Sequence, residues 1–152
     1  MFDILKDIYL FENLNETEVE KILTIAETRT EKKDSVLFRE GDSSDTLYII
    51  VEGMVRMSKQ VENIGEEALS ILEKGDYFGE MGLIDNSPRS TDAIIHEDCK
   101  LLAIKRSSFL AFMEENHEIA YKILLTFLKR LCIRLRETNE KIHNLFTIAK
   151  MF

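Results

Sequence analysis

The sequence predicts an α+β chain. A body of many short strands, of sandwich or barrel type, lies between N-terminal helices and one long C-terminal helix. Three observations predict this. From Thr28 to Lys105, short apolar runs alternate with turn signals at Lys33-Asp34, Gly41-Asp42, Glu52-Gly53, Asn63 to Gly65, Lys74-Gly75-Asp76 and Glu97-Asp98. From His117 to Phe152 there is neither Gly nor Pro, and apolar residues recur at helical spacing. The 152 residues are 45% hydrophobic and 32% charged, which suits a single globular domain with a real core, spanning 1–152.

The elements follow in order. Residues 2–11 set Phe2, Ile4, Leu5, Ile8, Tyr9 and Leu10 among acids and one lysine, the pattern of a short helix. Asn15 precedes Glu16-Thr17-Glu18, a cap followed by acids in the first turn. Val19, Ile22, Leu23 and Ala26 continue at helical spacing, so helices are expected over 1–27 and strands over 28–105. Helices return over 106–152. Ser107 or Ser108 is expected to cap a short one carrying Phe109, Leu110, Phe112 and Met113. Asn116 is expected to cap the last, from about residue 117. No linker, repeat or low-complexity segment divides the chain.

The last helix carries Leu124, Leu128, Leu131, Leu135, Thr138, Ile142, Leu145 and Ala149, spaced alternately by four and three. That is a heptad seam with one hydroxyl in it. A helix packed only on its own roll would let such a stripe drift, so the regularity favours pairing between two chains over that simpler packing.

Composition narrows the function. A net charge of −8 and a pI near 5.0 oppose a broad nucleic-acid footprint, which needs a basic face. They leave room for one anion in a local pocket. Cys99 and Cys132 have no metal-like spacing and read as reduced residues. His96, His117 and His143 show no ligand spacing, and Ser107 and Ser108 no nucleophile elbow, so neither a metal nor catalysis is expected. The first twenty residues are rich in acids, which opposes a signal peptide. No apolar run reaches the roughly eighteen residues of a membrane span, and a cytoplasmic location is expected. Lys105-Arg106 and Lys129-Arg130 read as solvated charge pairs.

The most informative run is Phe78-Gly-Glu-Met-Gly-Leu-Ile-Asp-Asn-Ser-Pro-Arg-Ser-Thr91. Met81 to Ile84 can form one helical turn. The small residues Gly79 and Gly82 open its N-terminal N–H groups to an anion. Arg89 adds a permanently charged, planar donor for the same anion. Glu80 repels a phosphate but accepts from hydroxyls, as a sugar diol requires. The set fits one ligand carrying both a phosphate and a ribose.

This run resembles the phosphate-binding cassette of the cyclic nucleotide-binding domain family, with the same nine-residue step from Glu80 to Arg89. Phe38-Arg39-Glu40-Gly41-Asp42, Leu47-Tyr48-Ile49-Ile50 and Gly53-Met54-Val55 look like the family's early strands and turns. The resemblance implies an antiparallel, jelly-roll-like β-roll with its cassette at 78–91. It implies ligand contacts from Gly79, Glu80, Met81, the Gly82 N–H, Arg89, Ser90 and Thr91, and apolar contacts to the base from Met57 and Leu72. Arg136 to Ile142 and Asn144-Leu145 resemble the dimer helix of the family's catabolite-activator branch. There Thr138 would meet its own chain's base, and Asn139, standing where that branch has Ser, the partner's. The function so implied is non-enzymatic: a homodimeric sensor that takes a 3′,5′-cyclic purine nucleotide, cAMP or else cGMP, and moves its last helix. No recognition module follows that helix, so the chain alone is expected to bind no DNA, and the downstream partner is open. Two other readings compete. A strand-roll cupin enzyme would need a His-x-His metal set, and a degenerate oligomerisation domain would not need the Glu80–Arg89 pair.

Overall fold

The structure is a computed structural model and describes residues 5–152. It is an α+β fold built on one antiparallel six-stranded sheet. The strands are β1 (Ala26–Glu31), β2 (Val36–Phe38), β3 (Thr46–Val61), β4 (Gly65–Leu72), β5 (Tyr77–Phe78) and β6 (Asp92–Lys105). The order is β1-β6-β3-β4, with β2 added to β6 and β5 to β3. The helices are α1 (Glu16–Leu23), α2 (Glu80–Asp85), α3 (Arg106–Glu115) and α4 (His117–Lys150). Among the described residues no helix is long and apolar enough to cross a membrane.

The long β3 shows why the roll has two apolar layers. Side chains alternate across a strand, so Leu47, Ile49 and Val51 face one way and Tyr48 and Ile50 the other. The first set packs under the helices with Ile22, Phe109, Ile123 and Phe127. The second fills the roll with Phe38, Phe78, Ile95 and Leu101. Tyr48 and Phe78, paired across β3 and β5, stack at 5.3 Å between ring centroids.

Two expected turns are bends instead. Glu52-Gly53 lies inside β3 and Glu97-Asp98 inside β6, and the pairing slips between Ile50 and Val55. Gly53 has φ +89°, and a Cβ there would overlap the Asp98 carbonyl oxygen. The two strands therefore bulge together rather than end.

The helix ends also differ in part from expectation. Asn15 does cap α1, accepting from the Glu18 N–H at 2.9 Å while Glu18 accepts from the Asn15 N–H. The helix ends at Leu23, however, and Ala26 already opens β1. Ser107 and Ser108 lie inside α3, which starts at Arg106 without a side-chain cap. Asn116 stands at the N-cap position of α4, but its side chain makes no capping bond there; its amide donates to the Phe112 carbonyl at 2.9 Å and closes α3. Of the helix expected at 2–11, residues 2–4 fall outside the described residues; the rest is not one continuous helix, and Tyr9–Phe11 is a single 3-10 turn.

Candidate functional site

Gly79 starts the site. It leaves β5 at φ +87° and turns the chain into α2. A Cβ there would stand 2.5 Å from Arg89 Nη1 and 2.7 Å from the Thr46 carbonyl oxygen, so only glycine fits. At Gly82 a Cβ would overlap the Ser44 side chain. Asn86, at φ +59°, ends the helix, and its N–H donates to the Gly82 carbonyl. The chain then returns through Pro88 to Arg89. The Arg89 N–H donates to the Asp42 carbonyl and its own carbonyl accepts from Gly41, both at 2.8 Å. The end of the cassette is thus tied to the turn before β3.

The Arg89 side chain is turned inward. The residue is only 6% exposed. Its guanidinium lies 4.0 Å from the Phe38 ring centroid, and Nη2 donates to the Thr46 carbonyl at 2.9 Å. Nε and Nη1 are buried without a partner. Burial pushes the guanidinium below its ordinary pKa, against the pull of Tyr48, Asp45, Asp42 and Glu80. A charge so placed is costly unless something anionic completes it.

Glu80 opens α2 and is 4% exposed. Its Oε1 accepts from Arg134 Nη1 of α4 at 2.7 Å. Four residues earlier, Asp76 Oδ1 accepts from Arg130 Nη2 at 2.6 Å. These two pairs hold α4 across the mouth of a cleft of about 650 Å³. Gly79, Glu80, Arg89 and Ser90 line its polar end. Met57, Leu69, Leu72, Met81 and Ile133 add apolar surface. Arg89, Arg130, Arg134 and Lys141 outnumber Glu80 and Glu137 among its charged residues, so the cleft is locally cationic in a chain of net charge −8. Chemically it suits a ligand with an anion, a hydroxyl-bearing middle and a flat apolar part.

The structure brings Met57, Leu72, Gly79, Glu80, Met81, Gly82, Arg89, Ser90, Thr91 and Thr138 to one cleft. Asn139 is outside it: one residue turns a helix by about 100°, which carries Asn139 off the face that Thr138 presents. Arg130, expected on a solvated face with Lys129, is half-buried at the cleft instead. Arg106 likewise reaches inward, its Nε donating to the Leu83 carbonyl at 3.2 Å. Sequence reasoning missed Ser44, Leu69, Arg130, Ile133, Arg134, Glu137 and Lys141. A signal for the helix residues existed. Positions 130, 134 and 141 share one helical face with Thr138, and Asp76 and Glu80 repeat the same four-residue step. Among the described residues no group of three or more His, Cys, Asp or Glu side chains is placed to hold a metal ion.

A roll carrying a buried arginine under a glycine-flanked helix turn, with a carboxylate beside it, defines a class of small-ligand-binding domain. The sequence profile of the cyclic nucleotide-binding domain matches residues 28–116, and the chain belongs to that family. It is 32% identical over 122 residues to the cyclic AMP receptor protein of Thermus thermophilus, covering 80% of this chain and 56% of that protein. It is also 32% identical over 109 residues to human cGMP-dependent protein kinase 2, covering 70% of this chain and 14% of the kinase. Among solved structures, Thermus thermophilus catabolite activator protein superposes with a TM-score of 0.80 at 31% identity, over 90% of this chain and 62% of that one. The chain thus spans about half of the Thermus receptor and a small part of the kinase.

Proposed function

We propose that this chain is a non-enzymatic regulatory module that binds a 3′,5′-cyclic purine nucleotide, cAMP in preference to cGMP, and answers by repositioning α4. The observation that carries the reading is Arg89: a buried guanidinium with two unmatched donors beside the start of α2. The cyclic phosphate would complete those donors, together with the Gly82 N–H and Ser90. Glu80 would accept from the ribose 2′-hydroxyl with the oxygen that Arg134 leaves open. The base would lie toward Met57 and Leu72, with Thr138 at its edge.

The long helix gives the output. Leu124, Leu128, Leu131, Leu135, Ile142 and Leu145 are all more than a third exposed, which is costly for a continuous apolar seam. Pairing two α4 helices in parallel would cover it and make a homodimer. Asn139, off its own cleft, would then face the partner. The downstream partner reads the position of α4, in the cytoplasm, with no catalytic step and no nucleic acid bound by this chain. Preference for cGMP is the nearest alternative, supported by the likeness to the human cGMP-dependent kinase and by the hydroxyls of Ser90 and Thr91.

Titration of the purified chain with cAMP and cGMP, beside light scattering, tests this. Thr138→Val is expected to keep the dimer and weaken cAMP, while Leu135→Asp is expected to split the dimer by placing a charge in the seam. A monomeric wild type rules out the seam. Full cAMP affinity in Thr138→Val rules out that contact.

A further inference from the structure

We propose that Arg130 is a positioning residue: through Asp76 it sets the pose of α4 across the cleft and so seats Arg134 and Thr138 at the ligand. The inference deepens the cyclic-nucleotide reading and rests on it. It starts from where α4 loses its grip on the roll. Ile119, Ala120, Ile123, Thr126 and Phe127 are its buried residues, and none follows Phe127. Leu128, Leu131 and Leu135 are 58%, 39% and 62% exposed. Past Phe127 the helix is therefore held to this roll mainly by two ion pairs, Arg130 with Asp76 and Arg134 with Glu80.

The two pairs have different duties. Asp76 is built into the roll: its Oδ2 accepts from the Glu73 N–H at 3.0 Å, and its carbonyl accepts from Ile50 at 2.9 Å. Arg130 lies 5.1 Å from the Tyr9 ring centroid and 5.3 Å from that of Tyr77, so its charge is screened from water by two aromatic faces. Side-chain exposure is 24% for Arg130 and 12% for Asp76, unlike the freely solvated pairs that contribute little. Glu80 is instead the acceptor that ligand hydroxyls would share. The Asp76 pair is thus the one that the ligand does not compete for. Both pairs repeat at four residues on each partner, so a slip of α4 by one residue would break both together.

Thr138 lies eight residues beyond Arg130, about 12 Å along the helix. Effects at that distance ordinarily add, so coupling between them must travel through the helix pose. Arg130→Gln and Asp76→Asn are each expected to weaken cAMP about tenfold, the double variant no further, and Arg130→Lys to recover part of the loss. In the Arg130→Gln background Thr138→Val should cost little more. Amide hydrogen exchange should quicken along residues 129–141 while β6 keeps its protection. Independent, additive losses, or wild-type affinity in Arg130→Gln, would overturn the proposal. A wild type that takes up no cyclic nucleotide would instead refute the ligand reading; hydrogen exchange then decides the positioning role, and unchanged exchange in Arg130→Gln would refute it.

Discussion

The two walls of the cleft are made in opposite ways. The cassette wall is fixed by backbone: Gly79 at φ +87°, the left-handed Asn86, and the hydrogen bonds that Arg89 exchanges with Asp42 and Gly41. Its side chains at Glu80 and Arg89 are nearly fully buried. The α4 wall is fixed by side chains alone, long arginines reaching Asp76 just before β5 and Glu80 at the start of α2, with no buried apolar residue past Phe127. In the proposed function, a ligand between them would meet one surface fixed by backbone and one held only by side chains. That difference would suit a sensor: recognition would cost little reorganisation on the first wall, and the second would be the one to shift.

The anchoring of the rigid wall gives the largest expected effect on stability. Asp92, 2% exposed, accepts from the Glu40 N–H at 2.8 Å and from Arg39 Nη1 at 2.9 Å just after the cassette. Burial alone would raise its carboxyl, but the Glu40 amide and the Arg39 guanidinium outweigh it and hold the carboxyl below the usual range. A depressed folded-state pKa contributes stability that is present above about pH 4 and is lost as pH falls further. Asp92→Asn should cost about 2 kcal/mol at neutral pH, within the range for hydrogen bonds to a charged group, and flatten that acid limb. Denaturant melts between pH 3 and pH 7 check it; an unchanged acid limb would place the cassette's anchor elsewhere.

Where the walls meet, the expected effect is smaller. Glu80→Gln keeps one acceptor for a ribose hydroxyl, so cAMP should weaken by about tenfold, or about 1.4 kcal/mol. The wild type should lose more than the variant when the 2′-hydroxyl is removed from the ligand. Equal losses in both proteins would take Glu80 out of ribose recognition.

The smallest effect lies between the walls. The Tyr77 hydroxyl is buried with no partner, and its pKa is pushed up to about 12, chiefly by burial. Removing an unmatched hydroxyl spares its desolvation cost. Tyr77→Phe should leave the Tm unchanged or raise it, by up to about 1 kcal/mol in stability. A clear fall in Tm would mean that the hydroxyl has a partner in solution.

The same contrast explains what the sequence revealed. The cassette was legible because its chemistry is local: Gly79, Glu80, Gly82 and Arg89 occur within eleven residues, and each residue type has few other uses in that pattern. The capping box at Asn15 was legible for the same reason. The α4 wall was not, because Arg130 and Arg134 acquire meaning only from acids fifty-four residues earlier in the chain. As local features they look like any charged helix face. Glu52-Gly53 and Glu97-Asp98 misled for a related reason: a glycine bulge shared by two paired strands has the residues of a turn. Ser107 and Asn116 are good caps by type, yet the fold starts α3 and α4 without using their side chains as N-caps.

The most direct test is calorimetric titration of cAMP into the wild type and into Arg89→Ala, with a thermal melt of each. One site per chain is expected in the wild type. The variant should lose at least about 2 kcal/mol of affinity, the scale for removing one partner of a buried charged pair. It should lose little Tm, because two unmatched donors leave with the side chain. A wild type that binds neither cAMP nor cGMP, or an Arg89→Ala protein that binds cAMP as well as the wild type does, would contradict the account.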